Sequence, residues 1–157
     1  MATFEVLTSS NVLGGGGGGS SYLVASVELT DAQIKALPTT PIQLVAAQGA
    51  GKAIYILNAN AVQKIVSNGF YTNITATEFL LTTQSNDNSV FIVDANALQE
   101  VTGTWFCQGV VNSFSYSNLM DNQPVRILMD NSGGGNFTGG NAANTLKVTV
   151  YYVVVDL

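Results

Sequence analysis

Histidine is absent from this 157-residue chain, and charge is scarce: five Lys and Arg and ten Asp and Glu make up 10% of the residues. Without an imidazole, Ser–His–acid and Cys–His nucleophiles and histidine-bound metal centres are excluded. The one cysteine, Cys107, has no partner for an internal disulfide. It lies in the apolar run "GTWFCQGVV", where a small buried hydrophobe is expected. The basic residues Lys35, Lys52, Lys64, Arg126 and Lys147 are dispersed singly, and the net charge is −5. Nucleic-acid binding rewards a basic patch, so no such partner is expected. No apolar run approaches the length of a membrane span, and "MATFEVLTSS" lacks the basic and apolar regions of a signal peptide. No membrane association is expected.

The chemical motifs fail one by one. "QGAGKA" resembles a phosphate loop, but its upstream glycine position holds Ala46 and the residue after Lys52 is Ala53, so no hydroxyl is placed for magnesium. A turn feeding the strand "AIYIL" is the better reading. "QSNDNS" and "LMDN" lack the alternating ligands and glycine of a calcium loop. Asp121 and Asp130 could act as an acid/base pair, but the sequence does not set their separation. "NIT" at Asn73 and "NFT" at Asn136 are chance matches to a glycosylation pattern in an Asn-rich chain. No catalytic, cofactor-binding or metal-binding residue is assigned, no cofactor is expected, and the protein is read as non-enzymatic.

What is present is strand pattern. Hydrophobic residues make up 46% of the chain. "LVASVEL" places Leu23, Ala25, Val27 and Leu29 on one face, and "PIQLVAA" does the same with Ile42, Leu44 and Ala46. Further pieces at "KAIYIL", "AVQKIV", "SVFIV", "GTWFCQGVV", "PVRILM" and "TLKVTVYYVVV" bring the total to about eight strands. Repeated crossover helices are lacking. The expected fold is all-β, a jelly-roll-like β-sandwich of about eight strands with short helical turns and an extended N-terminal arm. Two capping patterns predict those turns: Thr30 with Gln33 in "LTDAQI", and Thr75 with Glu78 in "ITATEF". "SNG" predicts a tight turn and a hairpin over residues 62–73. In the Gly- and Asn-rich loop 130–144, Phe137 is expected to anchor the loop to its own domain.

Three segments follow: an arm at 1–13, a Gly/Ser linker at 14–21, and the sandwich domain at 22–157. In the arm, "TFEVL" can add to a sheet but is too short to stand alone, which makes Phe4, Val6 and Leu7 candidate docking residues. The joint is Gly14, Gly15, Gly16, Gly17, Gly18 and Gly19, a flexible spacer because glycine loses the most backbone entropy on ordering. At the other end, the strand is apolar on both faces from Val150 to Val155. One face serves the core. Tyr151, Val153 and Val155, on the other, are the candidate oligomer interface, since an exposed apolar patch of that size is unusual in a monomer.

Several strings resemble small proteins encoded near the virion genes of tailed bacteriophages. They are "ALPTTPIQLVAAQGAGKAIYIL" at 36–57, "FYTNI" at 70–74, "NQPVRILMDN" at 122–131 and "FTGGNAANTLKVTVYYVVV" at 137–155, and the resemblance spans about residues 23–155. It carries no active-site motif. It implies a β-rich virion component of capsid-decoration or fibre-associated type, made in the bacterial host cytoplasm. The expected partners are further copies of the chain, with a trimer favoured by analogy, and the major capsid protein or another virion protein. The alternatives are a receptor- or carbohydrate-binding module of a fibre or tail, with Trp105, Tyr116 or Phe137 lining a concave site, and an intracellular scaffold or interaction protein.

Overall fold

Side-chain alternation decides most of the strands. β2 (Leu23–Thr30) sends Ala25, Val27 and Leu29 inward, and β12 (Thr145–Asp156) sends Leu146, Val148, Val150 and Tyr152 inward. Their antiparallel register pairs Val148 with Val27 and Val150 with Ala25, so both apolar rows meet on the same side. The computed structural model describes residues 4–7, 22–74, 78–82, 89–94, 98, 102–111, 121–129 and 135–157.

The remaining elements are β1 (Phe4–Leu7), α1 (Asp31–Ala36), β3 (Ile42–Val45), β4 (Lys52–Ile65), β5 (Tyr71–Thr72), β6 (Glu78–Thr82), β7 (Ser89–Asp94), β8 (Gly103–Gln108), β9 (Val110–Val111), β10 (Val125–Met129) and β11 (Thr138–Gly139). One five-stranded sheet has the order β1-β2-β12-β4-β8. A second runs β3-β10-β6-β7-β9, and β11 pairs with β5 in a small ribbon. Every pairing among the described residues is antiparallel. The chain is all-β, with nine strands of four or more residues among those described. Inward residues of both large sheets form one core, from Val27, Ile56 and Val150 to Phe79, Leu81 and Ile127. At about 25 cal/mol per Å² of apolar surface, each such side chain contributes roughly 1.5–3 kcal/mol on burial.

β4 is one strand where two were expected. Its parity changes at a bulge: Tyr151 pairs with Asn58 but Tyr152 with Ile56, which leaves Leu57 as the extra residue. Before the bulge Ile54 and Ile56 point inward; after it Ala59, Ala61, Gln63 and Ile65 do. A bulge also separates Val125 from Arg126 opposite β3, and the consecutive Leu44 and Val45 are both buried. The run "GTWFCQGVV" is likewise shared between sheets: β8 pairs with β4, and after Gly109 β9 pairs with β7.

Of the two predicted helical turns, the first is α1. Gln33 Oε1 accepts the Thr30 N–H at 3.0 Å, Asp31 and Lys35 pair at 2.7 Å, and Ile34 is buried. The second is corrected at Glu78 and Phe79, its residues 75–77 lying outside those described. Glu78 opens β6, where it pairs with Asp94, and Phe79 sits between Val93 and Met129. Burial of alternate residues Phe79 and Leu81 outweighs the local capping signal. The hairpin at 62–73 is corrected too. Asn68 does make the turn, at φ 59°, and the Gly69 N–H bonds the Val66 carbonyl at 2.9 Å, yet Tyr71–Thr72 pairs with Thr138–Gly139. Phe137 is buried at the root of that ribbon, anchoring its loop from within.

A buried amide holds this end together. Asn144 Nδ2 donates to the Gly69 carbonyl at 2.6 Å, and its Oδ1 accepts the Val66 N–H at 3.0 Å. Gly140, at φ +75°, lies so close to Asp31, the Tyr71 ring and Lys35 that a Cβ there would force them to shift. The buried Tyr71 hydroxyl faces Asn144 and Asp31 without closing a bond of full geometry to either. Burial first, and the nearby Asp31 carboxylate further, raise its pKa above the ordinary phenol value.

Candidate interaction face

The outward side of the β1-β2-β12-β4-β8 sheet carries the residues of interest, and the register sets them in rows. Toward one end the rows are polar or mixed: Thr145 with Thr30 and Lys64, then Lys147 with Glu28 and Val62, then Thr149 with Ser26 and Asn60. The Ser26 and Thr149 hydroxyls bond each other across the strands at 3.1 Å. Toward the other end the character changes. Tyr151 pairs with Val24, Val153 with Tyr55, and Val155 with Ala53. All three interface candidates from the sequence, Tyr151, Val153 and Val155, therefore point outward, and each is half-buried.

Sequence reasoning missed their neighbours. Tyr22 packs against Tyr151, with ring centroids 6.0 Å apart and planes at 58°, a tilted contact of the favourable type. Tyr22 and Tyr55 are each 47% exposed, and the bulge turns Leu57 outward at 45%. Strand order brings these residues beside β12, and no pattern within one strand reveals it. The alternation of "YYVVV" does reveal Tyr151 and Val153. At the margin of the patch Lys52 bonds Asp156 at 2.7 Å. That contact holds the Asp156 carboxyl below its ordinary pKa.

Phe4, Val6 and Leu7 lie on β1, which is added to the edge of β2 in the same chain. Phe4 stands opposite Val27, Val6 opposite Ala25 and Leu7 opposite Val24. The glycine joint, Gly14 to Gly19, lies outside the described residues. Leu7 and Tyr22, the two described residues that flank the joint, are both at the apolar end of the sheet.

The other candidate chemistries find these places. In "QGAGK" the Gly49 N–H is taken by Asn122 Oδ1 at 2.9 Å and the Gly51 N–H by Asp121 Oδ1 at 2.7 Å. The donors that would cradle a phosphate are engaged by the protein's own acceptors, and Lys52 opens β4. Asp121 thus has a turn to hold; Asp130 lies outside the described residues, as do Thr75 and Tyr116. Cys107 is half-buried rather than fully enclosed, because β8 is an edge strand, and its Sγ accepts Gln63 Nε2 at 3.2 Å. Phe137 is in the core and Trp105 is 42% exposed on β8, so these two do not line one site. Among the described residues no three of Asp, Glu and Cys gather as metal ligands, and no helix is long and apolar enough to cross a membrane. Comparison with family models, curated proteins and solved structures finds no match to the chain.

Proposed function

We propose that this chain is a non-enzymatic structural protein of a bacteriophage virion, which self-associates through the apolar end of its outer sheet face and decorates or cements the capsid. The observation that carries the reading is the patch of Tyr22, Val24, Tyr55, Leu57, Tyr151 and Val153. It faces away from the core in a chain with only 10% charged residues. Outward apolar surface of this kind marks a partner's footprint. A second copy is the simplest partner, because a self-complementary patch needs no other surface.

Strand order supports a jelly roll. Numbered one to eight in chain order, β2, β3, β4, β6, β7, β8, β10 and β12 fall into sheets ordered 1-8-3-6 and 2-7-4-5. Strands whose numbers sum to nine are neighbours, as when one long antiparallel ribbon is rolled around a core. Jelly rolls occur in viral capsid and lectin domains, an analogy of fold rather than of site. The strings at 36–57 and 137–155, which resemble phage virion proteins of capsid-decoration or fibre-associated type, support a virion setting for that analogy.

A carbohydrate-binding reading has one observation in its favour. Phe106, 66% exposed on β8, lies at the polar end of the same face, near the Asn60–Gln108 pair. Glycan-array binding lost on Phe106→Ala would establish it. The structural reading is tested by quantitative mass spectrometry of purified particles of the phage carrying the sequence. A fixed copy number relative to the major capsid protein supports it, and absence from particles refutes it.

A further inference from the structure

We infer that β1 is exchanged between copies: residues 4–7 of one copy complete the edge of β2 in a second. The inference rests on the self-association proposed above. β2 is paired along its length by β12 on one side, while β1 covers only Val24–Val27 on the other. Without the added strand, the backbone groups on that side form an open edge, which any chain of matching register can pair.

Within one chain, the connection is far longer than the pairing requires. Leu7 lies opposite Val24, about 5 Å away across a ladder, and two residues are enough to turn such a hairpin. Residues 8–22 do the joining, and they include the six consecutive glycines. Lengthening a flexible loop weakens closure within the chain, and a glycine-rich one has the most freedom to lose. A chain as long as 8–22 can reach about 50 Å when extended, and a Gly/Ser-rich coil of that length would span about 20 Å on average. That is the scale of a neighbouring domain, not of a neighbouring strand.

Position favours the same partner. The root of the tether, Tyr22, is part of the apolar patch, and Leu7 is registered beside Val24 in that patch. Copies joined patch to patch bring their tether roots and β2 edges together. Each arm then meets its neighbour's edge at an effective concentration comparable to that of its own. The pairings formed are identical in either case, and exchange adds a second link between the copies at no loss of contact.

The test uses the full chain with Leu7→Cys and Val24→Cys, prepared in 14N and 15N forms, unfolded together in equal amounts and refolded. A short bismaleimide joins the two thiols, and mass spectrometry reads the linked peptides. Glu5→Cys with Ser26→Cys is a second registered pair, for use if the first variant does not fold. Exchange in a symmetric oligomer predicts that about half of the 7–24 links join a light to a heavy chain, whatever the number of subunits. Links that are all light–light or heavy–heavy, or no 7–24 link in folded protein, overturn the exchange. Sedimentation of the same sample separates the two ideas: same-label links in an oligomer refute exchange alone, whereas a monomer refutes self-association as well.

Discussion

Replacing Asn144 by alanine tests how the turn end of the domain is held. Asn144 is fully buried, and its amide bonds the Gly69 carbonyl at 2.6 Å and the Val66 N–H at 3.0 Å. Alanine removes both partners and leaves two backbone groups behind. Gly69 is buried, so its carbonyl bears most of the penalty of an unsatisfied acceptor, roughly 2–3 kcal/mol; Val66 is half-buried, where water can relieve the loss to about 1 kcal/mol. The expected destabilisation is about 3–4 kcal/mol, or a fall in Tm of roughly 10 °C for a domain of this size. Urea denaturation and calorimetry at matched protein concentration measure it. Asn144→Asp adds a directional check. The carboxylate keeps an acceptor for Val66 but opposes the Gly69 carbonyl, whereas the protonated acid can donate to it. The deficit of this variant relative to the parent therefore shrinks as pH falls through its carboxyl pKa. A loss below about 1 kcal/mol for Asn144→Ala would refute the reasoning, because it would mean that neither backbone group depends on the amide.

Alkaline titration gives a second prediction. Burial raises the phenol pKa of both Tyr71 and Tyr152, so above pH 10 the unfolded state releases protons that the folded state keeps. Stability is then full below about pH 10 and falls as pH rises, by up to about 1.4 kcal/mol per pH unit for each such tyrosine. Ultraviolet titration should show Tyr71 and Tyr152 ionising above the ordinary phenol range, and Tyr71→Phe should flatten the slope. Gly140→Ala should destabilise far more than Gly51→Ala. A Cβ at 140 collides with Asp31 and Tyr71, whereas the one at 51 meets open space and incurs only the left-handed backbone penalty of roughly 1–2 kcal/mol; thermal melts rank the two. At the patch margin, the Asp156 carboxyl has its pKa lowered by Lys52, so its contribution is present above the ordinary carboxylate range and lost as pH falls through the lowered value. Both groups are exposed, and Lys52→Gln should leave urea midpoints at neutral pH almost unchanged.

Much of the fold is legible where one strand face is apolar and the other is not. β2, β10 and β12 read directly as alternation, and the capping pattern of Thr30 and Gln33 marks α1. The sequence is mute where tertiary pairing redirects the chain. Leu57 looks like one more apolar residue in "KAIYIL", and only its position opposite the Tyr151–Tyr152 step makes it the bulge that joins two apparent strands into β4. The Thr75–Glu78 pattern looks like a cap because local bonding is all that a short window contains. The half of the candidate interaction face on β12 follows from parity. Tyr22, Tyr55 and Leu57 join it through sheet order, which depends on contacts between residues a hundred positions apart. Asn144 has the composition of any loop asparagine; its buried role arises from two turns meeting.

Sedimentation velocity at micromolar concentration tests self-association through the outer face most directly. The parent protein is predicted to sediment as a discrete oligomer. Tyr151→Lys and Val153→Lys together should convert it to a monomer with an unchanged β-type circular dichroism spectrum, because both side chains point away from the core and lysine can extend its charge into water. A parent that is monomeric across the concentration range, or a folded double variant that keeps the parent's oligomeric mass, would contradict the account.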